Sequence, residues 1–435
     1  MGVKCGSGCG NAGWCAVLCV HVDWLLWTGL LKGLGVLLPT LQEQFKADTW
    51  MIGGLIATIT GAGSLAGPLS RLLEVLFGTR IVVIVCGFLF GASIIVSSFS
   101  TSAIQMTLAL SLIAGPGLMI TNVLSRAMTG RYFTTNYATV NGIATSGHSV
   151  GLIAIAPLTQ VLLDTYGWRG AMLLLGAIST HLGVCGLLLR TPPPSAEGRD
   201  DYLPINSSEE EPSADESRSL KAQKESRFRI LKNAVKAQAN RLGCTVCNFS
   251  TFWIATLVNA GHLFVGSLWM IYLVAYAESK GFSGYEAVTF TTVAGIGNLV
   301  IKILFGFMVD RGWLKLRQAL LISIVNCALA LSTLPLVNSY WLMMVNALIF
   351  NGFVGVQGSL SDIYTRELLG VEDLVSAFSW MDLLTALIQI ALGFFPGWIF
   401  DQTGSYDKAF VILGLISLLP LVSLLVENLL NRRKK

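Results

Sequence analysis

A lysine lies in the middle of an apolar run that is long enough to cross a membrane. Lys302 occupies the centre of the segment from Val293 to Arg311, and Asn298 lies one helical turn earlier on the same face. A cation at the centre of a spanning helix costs about 2.5–3.5 kcal/mol, so such residues normally face a bundle interior or a water-filled path. Lys302 and Asn298 therefore predict a polar patch that binds the anionic group of a ligand. The alternative is a buried lysine that pairs with a carboxylate of a neighbouring helix.

Three side chains in other apolar runs are candidates for the same site. Asp382 is the natural charge partner for Lys302, or else a proton-coupling group. In the run 247–275, polar and aromatic residues recur every three or four positions, which indicates one polar helix face. On that face, His262 and Tyr272 are expected to shape the pocket.

The first apolar run carries two opposite charges, Asp23 and Lys32. Because each residue of a helix turns by about 100°, the two side chains point about 180° apart and cannot pair within this helix. Lys32 either reaches the outer interface of the membrane or faces the interior and attracts an anion, and both alternatives stay open. Asp23 is a second candidate for a charge partner or coupling group. Arg126, near the end of the fourth run, is expected to mark the membrane edge rather than to enter the bundle.

The amino-acid composition predicts that most of the chain lies in a membrane. Of 435 residues, 53% are hydrophobic and only 12% are charged, whereas about a quarter are charged in soluble domains. A span needs about 20 mostly apolar residues. Twelve such runs predict an all-α polytopic membrane protein with twelve transmembrane helices: 14–39, 50–72, 80–100, 104–127, 138–163, 168–190, 247–275, 286–309, 317–338, 340–363, 374–399 and 405–428.

The basic residues predict the orientation of the chain. Of 29 Lys and Arg, only four fall in odd-numbered connections, so the positive-inside rule places both termini and the long central connection in the cytoplasm. That connection holds three successive prolines, an acidic run and a basic run, and such a segment cannot bury a core. The predicted divisions are a terminus at 1–13, a six-helix bundle at 14–190, a linker at 191–246, a second six-helix bundle at 247–428 and a basic terminus at 429–435.

Two corners of the chain have related sequences, one at 67–80 and one at Gly306-Phe-Met-Val-Asp310-Arg311. With the division into six plus six runs, they resemble the major facilitator superfamily, whose two halves are repeats around a central cavity. The resemblance implies the major facilitator fold. It also implies that Gly306, Asp310 and Arg311 belong to a conformational gate.

A longer block resembles one family within that superfamily. The segments 130–133, 141–147 and 156–160, followed by Tyr166-Gly-Trp-Arg-Gly170, look like the monocarboxylate transporters of solute carrier family 16 type. The resemblance implies that Lys32 matches a first-span lysine that helps bind the carboxylate. The same family carries Asp-x-x-x-Arg in span eight, where this chain has Asn298 and Lys302. An amide cannot take up a proton, so we expect coupling through span eight to be absent, and we regard the chain as a divergent member.

These features predict a solute carrier that moves a small organic anion, of the monocarboxylate class, across the plasma membrane by alternating access. The resemblance leaves symport and facilitated diffusion open, and some members of the family need a single-span immunoglobulin-type ancillary protein. Two alternatives stay open. One is a facilitator of a zwitterionic or neutral solute such as creatine, carnitine, an aromatic amino acid or thyroid hormone, and the other is a non-transporting receptor or scaffold. No metal, cofactor or nucleic-acid partner is expected. We do not expect an enzyme either, because the sequence has no catalytic set of residues and no phosphate-binding loop.

Overall fold

The computed structural model describes residues 12–46, 49–133, 135–190 and 246–433, and all regular elements in these ranges are helical. The predicted all-α class is therefore confirmed. Residues 1–11, almost all of the predicted linker, and residues 434–435 lie outside the described residues. The first half contains α1 Ala12–Phe45, α2 Thr49–Ala66, α3 Leu69–Phe77, α4 Thr79–Ser97, α5 Ala103–Ala109, α6 Gly115–Tyr132, α7 Tyr137–Thr145, α8 Gly147–Ser179 and α9 His181–Leu188, with a π-helical turn at Leu110–Ala114 between α5 and α6.

The second half begins with a short 3₁₀ turn at Val246–Asn248. Its helices are α10 Ser250–Ser279, α11 Gly284–Asp310, α12 Leu316–Thr333, α13 Tyr340–Leu369, α14 Leu374–Leu392, α15 Phe395–Thr403, α16 Asp407–Ile416 and α17 Leu419–Arg433, with a 3₁₀ turn at Leu334–Leu336. A local hydrogen-bond pattern fixes where α11 begins. At α11, the Ser283 hydroxyl accepts from the Glu286 N–H while the Glu286 carboxylate accepts from the Ser283 N–H, which forms a capping box.

Within the described residues, ten helical segments are long and apolar enough to cross a membrane, whereas the sequence predicts twelve runs. One difference arises at Gly167, where φ is 68° and ψ is 175°. This left-handed conformation, which glycine tolerates best, is a corner between the predicted fifth and sixth spans inside the continuous α8. The second predicted run is helical over Thr49–Ala66, and a separate short helix follows at Leu69–Phe77.

Hydrogen bonds between connections identify the two ends of the bundle. The Arg80 guanidinium donates to the Leu187 carbonyl, and the Arg366 guanidinium donates to the Phe133 carbonyl. These groups lie beside the ends of the segment 191–245, and we call this end the linker face. At the other end, which we call the opposite face, Arg169 donates to the Ser100 carbonyl and Lys280 donates to the Pro335 carbonyl.

Close packing of α1 against α8 depends on glycine. A Cβ atom at Gly147 would overlap the carbonyl oxygen of His21, which belongs to the backbone and cannot rotate away. We expect Gly147→Ala to lower the free energy of unfolding by about 1–3 kcal/mol, the usual cost of overpacking. The measurement is the thermal unfolding midpoint of the detergent-purified protein. Gly35→Ala is the matched control on α1, because open space surrounds that position. An unchanged midpoint for Gly147→Ala would contradict the tight α1–α8 contact.

Candidate functional site

Lys302 lies at the contact between the two halves. Its side chain is buried, with 4% of the residue exposed, and its Nζ donates to the carbonyl oxygen of Thr145 in α7 over 3.2 Å. Its stem packs beside Gly142 of the same helix. Among the described residues, no carboxylate lies within 4 Å of this ammonium group. Lys302 therefore points toward the first half and away from lipid headgroups, and a backbone carbonyl is its hydrogen-bond partner.

The expected pairing of Lys302 with Asp382 is wrong, because Asp382 has another cation as its partner. Arg126 Nη1 lies 3.2 Å from Asp382 Oδ2, and the Asn259 amide donates to the other oxygen over 3.3 Å. Arg126 also forms an ion pair with Asp362 of α13. Its guanidinium lies over the Phe378 ring, 4.3 Å from the centroid.

The expected position of Arg126 at the membrane edge is therefore also wrong. Only 6% of the residue is exposed, because two carboxylates of the second half surround its guanidinium. Burial of a charge is tolerated when it is paired and hydrogen-bonded in this way. We call Arg126, Asp362 and Asp382 the interhalf ion cluster. It joins α6 of the first half to α13 and α14 of the second.

Amide side chains extend this cluster in both directions. The Asn141 amide of α7 donates to Asp362 over 3.1 Å and to the Ser359 carbonyl over 2.9 Å. On the other side, Arg126 donates to the Asn122 Oδ1 over 3.3 Å, and the Asn122 Nδ2 donates to Asp23 of α1. A polar chain thus runs from the first helix of the first half to α13 and α14 of the second.

Asn298, the predicted hydrogen-bonding group, is engaged by the protein in this conformer. Its Oδ1 accepts from the Ser149 hydroxyl of α8 over 2.8 Å, and its Nδ2 donates to the Asn351 carbonyl of α13 over 2.8 Å. The amide therefore ties α11 to its neighbours in both halves. A contact between Asn298 and a ligand stays a prediction.

The two residues predicted to shape the pocket from α10 lie at different depths. His262 is buried beside Gly358, and it is within electrostatic range of Lys302 and of the interhalf ion cluster. Tyr272 lies ten residues farther along the helix, about 15 Å toward the opposite face. There it contacts Gly397, and its ring centroid lies 5.9 Å from that of Tyr406. The structure brings His262 to the centre but leaves Tyr272 apart from it.

Lys32 and Lys302 are both within electrostatic range of one histidine, His148. The His148 Nδ1 and the Thr28 hydroxyl of α1 are hydrogen-bonded over 2.6 Å, and the ring packs edge-on against Trp24. Lys32 is half-buried, and no hydrogen bond or ion pair of its ammonium group occurs among the described residues. This arrangement favours the alternative in which Lys32 faces the bundle interior. His148 was not among the predicted site residues, although a histidine at mid-span was a signal for it.

The predicted gate residues lie at the linker face of the contact between the halves. Both carboxylate oxygens of Asp310 accept from the first N–H groups of α7, those of Ala138 at 3.1 Å and Thr139 at 2.6 Å. Gly306 allows the backbones to approach, because a Cβ there would meet the Ala138 carbonyl oxygen at 2.7 Å. The Arg311 guanidinium lies over the Phe307 ring. Asp310 thus caps a helix of the other half, and its role in gating stays a prediction.

The corner at 67–80 forms a separate ion cluster within the first half. Glu74 contacts Arg71 at 2.8 Å and Arg131 at 2.5 Å, and it accepts from the Thr79 hydroxyl at 3.0 Å. Burial raises the pKa of the Glu74 carboxyl, but the two guanidinium groups outweigh it and hold the pKa below its usual range. This corner braces α3 against α6 and α4. Among the described residues, no three His, Cys, Asp or Glu side chains are grouped as metal ligands.

The hydrogen bonds and ion pairs between the halves define the conformer. In the described part of the chain, all of them lie between the level of Asn298 and the linker face. Toward the opposite face, no polar bond between the halves occurs among these residues. The structure is therefore a conformer that is closed at the linker face.

Comparisons with known proteins agree with this architecture. The family profile described as Major Facilitator Superfamily matches residues 14–331. Monocarboxylate transporter 12 of Xenopus laevis is 27% identical over 98% of this chain and 91% of its own length, and monocarboxylate transporter 11 of Mus musculus is 29% identical over 93% and 84%. Among solved structures, the proton:xylose symporter XylE bound to 6-bromo-6-deoxy-D-glucose superimposes with a TM-score of 0.69 at 14% identity and 95% coverage of both chains. The resemblance to a divergent monocarboxylate transporter is confirmed, and so is the major facilitator fold.

Proposed function

Because this chain belongs to the major facilitator superfamily and is a multi-pass membrane protein, we propose that it transports a small monocarboxylate across the plasma membrane by alternating access. The names of its relatives, monocarboxylate transporters 11 and 12, support the solute class. The distribution of Lys and Arg supports a cytoplasmic linker face. The conformer closed at that face would then be the outward-facing one.

One observation carries the choice of an anion. Among the described residues, no carboxylate lies within 4 Å of the buried Lys302 ammonium group, and Lys32 of the first half is within electrostatic range of the same His148. Arg126, in contrast, already has Asp362 and Asp382 as counter-ions. A buried charge is expensive until it is paired, so a solute carboxylate that enters between the two lysines supplies the missing counter-ion. Because the lysines belong to opposite halves, such a solute would contact both.

The chemistry of span eight separates this chain from the proton-coupled pattern that the resemblance implies. Asn298 is an amide and both of its ends are hydrogen-bonded, so it has no proton to exchange. Any coupling to protons must therefore use another group. Asp382 and Asp23 are the candidates that the sequence predicts, and Asp382 is paired with Arg126 in this conformer.

The direct test is counterflow of labelled L-lactate and pyruvate in proteoliposomes that contain the purified full chain. We expect saturable exchange of at least one of the two above protein-free vesicles, and competition by other short monocarboxylates. Purified vesicles also show whether an ancillary protein is needed for turnover. Exchange of creatine, carnitine or an aromatic amino acid without exchange of either monocarboxylate would contradict the proposed solute class. Binding without exchange of any solute would favour a receptor.

A further inference from the structure

Asp23 is a buried carboxyl group without a cation against it. The residue is 0% exposed, and among the described residues its hydrogen-bond partner is the amide of Asn122 at Oδ2. Its other oxygen, Oδ1, is buried and has no partner. Leaving this oxygen buried without a partner costs more free energy on a charged carboxylate than on a neutral carboxylic acid, because the desolvation penalty is larger for a charged group.

The groups around Asp23 do not supply a counter-charge that is free. Arg126 is within electrostatic range of Asp23 but is separated from it by the Asn122 side chain. That guanidinium already pairs with two carboxylates of the second half. The other titratable side chains on α1 and on the helices packed against it include Cys19, His21 and Lys32 on α1, Arg131 on α6, Tyr137 on α7, His148, Asp164 and Arg169 on α8, and Cys185 and His181 on α9. Among the described residues, none of them forms a hydrogen bond or an ion pair with Asp23.

Charge balance at the centre is consistent with a neutral Asp23. The interhalf ion cluster has one cation and two carboxylates, and Lys302, which is within electrostatic range of Asp362, supplies the second cation. Those four groups balance one another. Lys32 adds a third cation, so an ionised Asp23 would make the charges equal and leave none for a solute anion, whereas a protonated Asp23 leaves Lys32 as the surplus cation for a solute anion.

We propose that Asp23 is the proton-binding site of this protein, and that Arg126 exchanges Asp362 and Asp382 for Asp23 when the linker face opens. Opening must separate Arg126 from the second half, since all polar bonds between the described parts of the halves lie on that side. The freed guanidinium then has a carboxyl group of its own half nearby, because Asp23 lies on the far side of Asn122. Asp23 releases its proton to pair with it, and no other reactant is required.

The groups left in the second half also have partners after such an exchange. Lys302 lies in the same half as Asp362 and can take over as its counter-ion. Asp382 keeps the Asn259 amide and lies only eight residues, about 12 Å, from the end of α14 at the linker face, so water reaches it when that face opens. The closed conformer therefore binds one proton more than the open conformer, at Asp23.

The test is the distance across the linker face as a function of pH. Spin labels at Phe77→Cys and Trp313→Cys, both exposed and on opposite halves, report opening by double electron–electron resonance in lipid nanodiscs, in a background without other reactive cysteines. Since the closed conformer binds the extra proton, the ratio of open to closed protein should rise with pH by up to about tenfold per unit. In Asp23→Asn, which cannot ionise, the ratio should stay at its low-pH value.

The matched control is Asp164→Asn, an exposed carboxylate at the opposite face that bonds to Gln160. It should retain the pH dependence of the parent, as should the conservative Asp23→Glu. A parent whose distance distribution does not change with pH would overturn the proposal, and this result needs no variant to fold. An Asp23→Asn variant that keeps the dependence would also overturn it.

This inference rests on the proposed function for its place in a transport cycle, but the two fail separately. The spectroscopic experiment uses no solute, so it reports on Asp23 even if neither lactate nor pyruvate is exchanged. Conversely, monocarboxylate exchange with a linker face insensitive to pH would leave the proposed function intact and remove Asp23 from it.

Discussion

Replacing Lys302 by methionine is expected to slow monocarboxylate exchange about 10- to 100-fold while the protein stays at least as stable. A charge-assisted hydrogen bond to a carboxylate contributes about 1.5–3 kcal/mol, and each 1.4 kcal/mol corresponds to a factor of ten. Methionine keeps the length and the apolar stem of lysine. It removes a buried ammonium group whose hydrogen-bond partner is the Thr145 carbonyl, and removing an incompletely paired buried charge does not destabilise a core.

The measurement pairs the counterflow rate in proteoliposomes with the thermal unfolding midpoint of the same preparation. Lys408→Met is the matched control, because it removes one positive charge from an exposed position on the opposite face. Lys302→Arg keeps the charge but presents a planar fork in a space shaped for a point charge, so partial activity is expected. If Lys302→Met loses exchange and stability together, the lysine holds the fold rather than the solute.

The helical architecture could be predicted from the sequence because the main evidence for it is local. Length and hydrophobicity of each run are properties of about 20 consecutive residues, and the resemblance to known transporters joined the runs into two halves. The boundaries were less accurate where backbone geometry decides them. Gly167 is one residue in an apolar stretch, and only its positive φ shows that it is the corner between two spans.

The pairing of the buried charges between the two halves could not be predicted from the sequence. Lys302 could be recognised as an interior cation because lipid excludes the other choices for a mid-span lysine. The partner of Asp382 could not be predicted from the sequence, because the fold places Arg126 and Asn259 of two other helices against this carboxylate. Arg126 and Asp362 are 236 residues apart, and no spacing along the chain connects them. Each of the two residues is charged and lies within an apolar run, which is the same evidence that predicted an interior position for Lys302.

The polar residues of α1 show how the structure changes the weight of a sequence signal. Helical geometry alone excluded a pair between Asp23 and Lys32, and neither the hydrogen bonds nor the ion pairs of the described residues join them. Helical geometry could not specify that Asp23 accepts a hydrogen bond from Asn122 or that Lys32 lies within electrostatic range of His148. The proposed proton-binding role of Asp23 and the proposed anion-binding role of Lys32 depend on these two observations.

Arg126→Met is expected to open the linker face even at low pH. The substitution leaves Asp362 and Asp382 buried without their shared counter-ion, and removing one partner of a buried pair costs about 3–5 kcal/mol. Water at an opened linker face relieves this cost, so the open conformer gains relative to the closed one by a factor of a hundred or more. The spin-label pair on α3 and on the connection after α11 measures the shift directly. Arg80→Met, an exposed arginine at the same face of the same half, is the control and should leave the distance unchanged.

A triple variant separates loss of the ion cluster from general damage. Adding Asp362→Asn and Asp382→Asn to Arg126→Met removes the two unpaired charges, and amides can still bond to Asn141 and Asn259, which face those positions. We therefore expect the triple variant to regain closure that the single variant loses, because interaction energies within one network are not additive. A triple variant more open than Arg126→Met alone would mean that the carboxylates close the linker face without Arg126. In that case Arg126 would have no role in exchanging partners with Asp23, and the pH dependence of opening would need a different cation.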